Sequence, residues 1–434
     1  MAKSDSEVMK FSGKRLLMLG SNVGSVEVLK YAKANGAFTI VADYLPKEKS
    51  IAKQYCDKCV LISTADTEKL SLLIQTEKIN GVFAGVSEFN LLQAMKLCRL
   101  NNLSFYCDME QWNKVEIKDQ FRKLCDEFNI PTPKTFYYGD SPDEIGRYMY
   151  PVVVKPVDSS SSIGVSICHN ENSCLDAIAL AKKNSLCGNI IIEEFFEGEE
   201  FTAHYSIVQG KASLVCVDNR FAVSVNGDHV TTVPIARIYP SSFLMEYKNQ
   251  VNDKVVEMCD SLALEVGVLF VQGLYNRKSN RFCIFEGGLR SAGEAPFRFV
   301  ESVNGTNYMN ALVDYAMLGE ASDYDNKMEN PELKGKSCAV ISFVSKGGRI
   351  SRIIGFDGIS KTVHSIISTE CRYKEGDEIP KGNTLRQIVL RFVLVCGSKE
   401  ELKKDIDYIN SNVYVLNENG ADMCIRFDPN RMFS

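Results

Sequence analysis

Between residues 14 and about 110 the chain alternates apolar strand segments with helical ones, and this alternation restricts the fold more than any other feature. KRLLMLGS, FTIVADY, CVLIST and GVFAGV read as four strands. VGSVEVLKYAKANG, between the first two, has helical spacing and stops on Gly36. Helical stretches fill the remaining gaps. Such a repeat makes the strands parallel, because each helix carries the chain back to the same end of the sheet. A Rossmann-like, doubly wound α/β layer is therefore expected for residues 1–110.

Downstream the pattern changes. QWNKVEIKDQFRKLCDEFNIPTPK, residues 111–134, predicts one amphipathic helix stopped by Pro131 and Pro133. PVVVKPV, GVSIC and NIIIEEFF predict an antiparallel sheet over about 135–205, packed on the helix DAIALAKKN. More strands follow, with a long helix expected near 249–266 and another at VNGTNYMNALVDYAMLG. Residues 321–336 are polar and read as a connector. Strands at SCAVISFVS, GRISRIIG and QIVLRFVLVCG and a helix at SKEELKKDIDYINSN predict a small α+β lobe. The division is 1–110, 111–320 and 321–434, in a chain that is α/β overall and α+β in part. A length of 434 residues suits two to four domains.

Composition narrows the function classes. A net charge of -5 and scattered basic residues argue against nucleic acid and anionic membrane as partners. The 15 cysteines are odd in number and spread singly. The nearest pair, Cys56 and Cys59 in CDKC, lacks the second pair or His cluster that zinc needs. With no 18-residue apolar run and a polar start, a reduced, cytoplasmic protein is expected.

The stretch FVQGLYNRKSNRFCIFEGGLR, 270–290, reads as two strands joined by a polar turn. Gln272 and Glu286 each offer an oxygen, and Arg290 follows four residues after Glu286. Oxygen ligands beside a guanidinium suit a Mg²⁺–triphosphate, since Mg²⁺ keeps substrate phosphates in its shell. In VVVKPVDSSSSIGV, Lys155 ends a strand before the small residues Ser159, Ser160, Ser161 and Ser162. Such a loop brings backbone N–H groups close to phosphate, or is a plain serine-rich hairpin. IIIEEFFEGEEF delivers Glu193, Glu194 and Phe196 on a strand and Glu200 after a turn. That segment suits an adenine edge and ribose hydroxyls, or is a solvated acidic hairpin end. Lys118 lies on the amphipathic helix, where a lysine is usually solvated.

Taken in order, Lys118, NIPTP, VVVKP, the small-residue loop, IIEEFFEGEE and Gln272…Glu286…Arg290 resemble the ATP-grasp superfamily. The likeness is to the branch of carbamoyl phosphate synthase and biotin carboxylase and, nearest, the amino-acid (dipeptide-forming) ligases. It implies an ATP-grasp fold over 111–320, with a lid at about 135–205, behind a pre-ATP-grasp domain. It implies that Lys118 and Lys155 contact the α- and β-phosphates and that Ser159–Ser162 close over them. Glu193, with the backbone of Glu194 and Phe196, would hold adenine, and Glu200 the ribose. Gln272 and Glu286 would carry Mg²⁺, with Mn²⁺ as a substitute, and Arg290 would stabilise the transferring phosphoryl. The superfamily pattern Glu-x-Asn-x-Arg is broken here, because Gly288 stands in place of the Asn.

The implied activity is an ATP-dependent carboxylate–amine ligase with an acyl phosphate intermediate and small-molecule carboxylate and amine substrates. Homodimerisation is a family-level expectation. A bicarbonate-activating carboxylase, a carbamoyl-phosphate-type enzyme and a degenerate ATP-binding regulatory protein are the competing readings. Glu88, His229, Arg237 and Arg298 are candidate substrate contacts; an arginine suits a carboxylate bidentately. Gly20, Gly24 and Asp43 sketch half of a dinucleotide fingerprint, but GxGxxG is absent.

Overall fold

The computed structural model describes residues 9–139, 142, 145–158, 163–225, 232–320, 324–382 and 384–433. Its first layer is a parallel sheet of β1 (Arg15–Leu19), β2 (Phe38–Ala42), β3 (Lys58–Val60) and β4 (Gly81–Phe83), ordered β3-β2-β1-β4. Leu17 and Leu19 enter one core while Leu16 and Met18 enter the other. The strand period of two thus buries both faces, as a parallel sheet between helices requires. The helices are α1 (Ser25–Ala34), α2 (Thr67–Glu77) and α3 (Glu88–Leu100). No helix among the described residues is long and apolar enough to cross a membrane.

The single helix expected over 111–134 is two: α4 (Met109–Glu116) and α5 (Lys118–Glu127). Ile117 is extended (φ -88°, ψ 118°) and breaks them. Asp108 and Gln111 form a capping box at the start of α4. The break lets the Glu116 carboxylate turn inward and accept the Leu289 N–H at 2.9 Å.

The segment expected as a lid holds the antiparallel sheet β5 (Thr135–Gly139), β6 (Val152–Pro156), β7 (Ser166–Cys168) and β8 (Ile190–Glu194), ordered β5-β8-β6-β7. α6 (Glu171–Lys183) packs Cys174, Ala177, Ile178 and Ala181 onto Val152, Val154, Ile190 and Ile192.

Six long strands follow: β9 (Glu199–Val208), β10 (Lys211–Val217), β11 (Asn219–Val223), β12 (Val233–Tyr239), β13 (Val266–Asn276) and β14 (Arg281–Gly288). The helix expected near 249–266 stops at Ser261. The β-branched run from Val266 pairs with β9 instead. β10, β9, β13 and β14 make the central sheet. On one face Phe201, Phe243, Tyr247, Tyr275 and Phe282 pack with ring centroids 4.5–5.9 Å apart, which stiffens the floor of the site.

β15 (Ser337–Ser345), β16 (Ile366–Cys371) and β17 (Ile388–Cys396) join β11 and β12 in a third sheet, ordered β11-β12-β15-β17-β16. This sheet crosses the line between 320 and 321.

Candidate functional site

Gln272 on β13 and Glu286 on β14 are direct register partners. The register shifts beside them: Gly273 pairs with Ile284, so Phe285 is the extra residue of a bulge. Direct partners in an antiparallel ladder point to the same side of the sheet, so Gln272 and Glu286 share a face, and the bulge twists the strand just beyond them. Gln272 Nε2 lies 3.5 Å from Thr202 Oγ1 on β9, leaving its amide oxygen for a cation. Two adjacent oxygen donors on a rigid sheet fit a hard divalent ion that keeps phosphate or water ligands.

Two glycines shape this pair through space, not through unusual backbone. A Cβ on Gly287 would meet the Phe121 ring of α5 at 2.6 Å. A Cβ on Gly288 would clash with two atoms of the Phe270 ring, directly across the ladder. The Arg290 guanidinium lies 5.0 Å from the centre of that ring, in cation–π contact.

Arg290 is further flanked by two carboxyl groups. Its Nη2 is 3.4 Å from Glu88 and its Nε 3.9 Å from Glu116. Burial pushes the Glu116 carboxyl up to about 8; Arg290 opposes that shift and Glu88 adds to it. Glu116 is thus mostly protonated at neutral pH. Glu88 is the first residue of α3 and is 39% exposed.

Lys155 and Arg122 both bind Glu193, which is 1% exposed; the Arg122 Nε bond is 2.9 Å. Arg122 also donates to the Phe285 carbonyl at 2.9 Å, tying α5 to β14. Burial disfavours the Glu193 charge, yet Lys155 and Arg122 outweigh it and hold the carboxyl below the ordinary range. Burial depresses Lys155. Lys118, at the start of α5, is near enough for its charge to act on Lys155. Glu194 closes β8 and accepts the Lys134 N–H at 3.2 Å. Phe196 lies beneath Arg281, 5.7 Å from the guanidinium. Glu200 pairs with Arg220.

Arg237 is engaged deeper in through Nη1, while its buried Nε has no hydrogen-bond partner among the described residues. Its Nη1 reaches Thr202 at 2.7 Å, Asp218 at 2.6 Å and Glu294 at 2.9 Å. Burial raises Asp218 to about 6 and lowers His204 to about 4. His204, Asp218 and Glu294 are spaced as metal ligands would be, but a guanidinium already supplies the cation there. Arg298 pairs with Glu27 at 2.6 Å and is not among the residues lining the main cavity. His229 and Ser159–Ser162 lie outside the described residues.

Gln272, Glu286, Arg290, Arg237, Glu294 and Glu88 meet at one cavity of about 680 Å³, whose lining does not include Lys118, Lys155, Glu193, Glu194, Phe196 or Glu200; its size is well within the ~300–1,000 Å³ of small-molecule sites. Gln272, Glu286, Arg220 and Arg290 line one side. Asn22 and Glu88, at the carboxyl ends of β1 and β4, line another, where parallel sheets accept ligands. Asp43, by contrast, accepts from Leu45 N at 3.0 Å and Ser50 at 3.1 Å, so its oxygens serve its own loop and not a ribose.

Residues 140–265 match the family described as D-ala D-ala ligase C-terminus. The carbamoyl phosphate synthase large chain of Clostridium acetobutylicum is 22% identical over 298 residues, 63% of this chain and 27% of the relative. The chain thus spans about a quarter of the length of such relatives. An L-amino acid ligase structure from Bacillus licheniformis superposes with TM-score 0.77 at 16% identity, over 94% of this chain and 100% of that one. A phosphoribosylglycinamide synthetase from Anaerococcus prevotii gives 0.72 at 18%, over 93% and 100%. The biotin carboxylase domain of Hydrogenobacter thermophilus 2-oxoglutarate carboxylase, in complex with MgADP and bicarbonate, gives 0.73 at 14%, over 92% and 89%.

The chain has the ATP-grasp fold.

Against the ATP-grasp pattern, the missing Asn has a steric counterpart: Phe270 fills the space in front of Gly288. Sequence reading missed Phe270, Glu116, Arg122, Arg220 and Glu294. Arg122 had a signal, since it lies one turn after Lys118 on the same helical face. Glu294 lies only four residues beyond Arg290. Arg220 had none, because its partner Glu200 is brought near only by the β11–β9 contact.

Proposed function

We propose that this protein is an ATP-dependent carboxylate–amine ligase acting on amino-acid substrates. The observation that carries the reading is the register pair Gln272–Glu286 opening, with Arg290, onto a cavity large enough for more than a phosphate. Mg²⁺ held by Gln272 Oε1 and Glu286 would neutralise charge on the triphosphate. Lys155, Arg122 and Glu193 form a preformed charged cluster between lid and central sheet. Lys155 and Lys118 supply positive charge to the α- and β-phosphates, with adenine along Glu193–Phe196 and ribose at Glu200.

The substrate carboxylate attacks the γ-phosphorus, ADP leaves, and an acyl phosphate remains. Arg290, fixed by Phe270, Glu88 and Glu116, faces that transfer as a preorganised charge. An amine then displaces phosphate, and the Ser159–Ser162 loop is assigned to water exclusion.

The test is ADP and phosphate release with Mg²⁺ across single amino acids and amino-acid pairs, with bicarbonate as a separate arm. Release that needs two amino acids supports the ligase; release with bicarbonate alone replaces it with a carboxylase. Glu286→Ala is expected to abolish ADP formation with an unchanged circular-dichroism spectrum. Normal turnover in that variant would remove the metal assignment.

A further inference from the structure

The third sheet forms the cavity wall opposite the metal pair, and its charges are unevenly matched. Ser342 on β15 and Glu370 on β16 are both register partners of Arg391 on β17. The three side chains therefore stand in a row on one face, and all line the cavity that Gln272, Glu286 and Arg290 line. Arg391 is 5% exposed and Ser342 4%. Arg391 Nη1 donates to the Gly293 carbonyl at 2.9 Å and sits 3.6 Å from Glu370. Its buried Nε has no hydrogen-bond partner. Glu370 is shared, because Arg372 Nε also binds it at 3.1 Å.

Two guanidiniums thus share Glu370, Glu294 is near enough for its charge to act on Arg391, and the buried Nε of Arg391 remains an unfilled donor in the wall. A buried guanidinium with unsatisfied donors is unfavourable unless an anion completes it. The planar fork prefers a carboxylate. Phosphate, with more negative charge, suits the opposite wall better, since Glu370 would repel it here. Val340, Ala292 and Leu385 border the row and offer apolar surface to the rest of such a ligand.

We propose that Arg391, supported by Arg372, Glu370 and Ser342, binds the carboxylate of the amine substrate, so that this substrate is an amino acid or peptide and not ammonia or a simple amine. The inference rests on the ligase reading above. Gly293, which Arg391 grips, is three residues from Arg290, a reach of at most about 11 Å. An amino acid anchored at Arg391 therefore points its amine at the acyl phosphate beside Arg290. Its ammonium first loses a proton to solvent. The nitrogen lone pair then forms the C–N bond, and the acyl C–O bond to phosphorus breaks. Phosphate leaves with that electron pair and takes the second amine proton.

Hydroxylamine separates failure of the reading from failure of the inference. With ATP, Mg²⁺ and a panel of amino acids, the wild type should form a hydroxamate from its acyl substrate. If no acid gives hydroxamate or amide, the ligase reading falls and this assignment with it. Given an active wild type, alanine is compared with ethylamine, and leucine with isoamylamine, as nucleophiles. The wild type should favour the amino acid by roughly 100-fold or more in kcat/KM, as sites built to pair a polar group do. Arg391→Gln should bring that ratio to within about tenfold of unity, and Arg391→Lys should lie between. A wild type that does not discriminate, or an Arg391→Gln variant that slows both nucleophiles equally with the ratio intact, overturns the assignment. Should Arg391→Gln not fold, the half-buried Arg372 carries the same test: Arg372→Gln must lower the ratio, and an unchanged ratio overturns the proposal.

Discussion

Gly288 and Phe270 act as one unit, and each explains the other. The superfamily Asn cannot enter at 288 while the ring stands there, and the ring supports Arg290. Gly288→Asn should therefore destabilise the protein by about 1–3 kcal/mol, the usual cost of overpacking, and lower kcat by at least about tenfold. Adding Phe270→Ala should recover stability relative to Gly288→Asn alone, because neighbours that share space are non-additive. Additive losses in urea denaturation would show that the two residues do not compete. Glu116 offers a different kind of test. Its folded pKa, about 8, is raised above the unfolded value. Its stabilising contribution is thus complete below about pH 4.3, the unfolded carboxyl value, shrinks as pH rises, and is gone above about 8. Glu116→Gln mimics the protonated form. The stability difference, wild type minus variant, should fall between pH 5 and 8 and then level off. A flat difference in thermal melts over that range would refute protonation of Glu116.

Among the elements, legibility followed local pattern. The alternating β1–β4 layer and the lid strands carry their own periodicity, and the sheet register preserves it. The break at Ile117 carries no such mark, since it answers a demand from Leu289, 172 residues away. Likewise VGVLFVQ is an apolar run whose strand pairing with β9 only the tertiary structure decides. Within the site, Gln272, Glu286 and Arg290 were readable because one hairpin holds all three. Arg220 and Arg391 were not, since their partners come from other strands. The seam between α5 and β14 makes the same point about helix placement. Gly287 lets Phe121 approach, and Arg122 uses that closeness to reach the Phe285 carbonyl. Gly287→Val should push α5 outward, raise the KM for ATP and cost about 1–3 kcal/mol. A paired Phe121→Leu change should return part of both losses; no recovery in either measure would mean that the contact does not set the helix position.

At the scale of the whole molecule, the cavity wall is assembled from both sides of residue 320. β11 and β12 precede that point, whereas β15, β16 and β17 follow it, and Arg391 ties β17 to the Gly293 carbonyl in the segment after Arg290. β15 is buried along its whole length, from Ser337 to Ser345. Removing Val340, Ile341, Phe343 and Val344 would forfeit roughly 6–12 kcal/mol of apolar burial at ~1.5–3 kcal/mol each, comparable to the ~5–15 kcal/mol by which folded proteins exceed their unfolded chains. It would also strip β12 of one of its two partners and leave a bare, apolar edge prone to pair with other chains. A chain ending at residue 320 is therefore expected to aggregate or to lack a sharp unfolding transition, even though it retains Lys118, Lys155, Gln272, Glu286 and Arg290. Size-exclusion chromatography with urea denaturation decides the matter. A monomeric 1–320 fragment with a cooperative transition would mean that β11 and β12 hold without the third sheet. The C-terminal lobe would then be a separable addition to the proposed nucleotide site and not one of its walls.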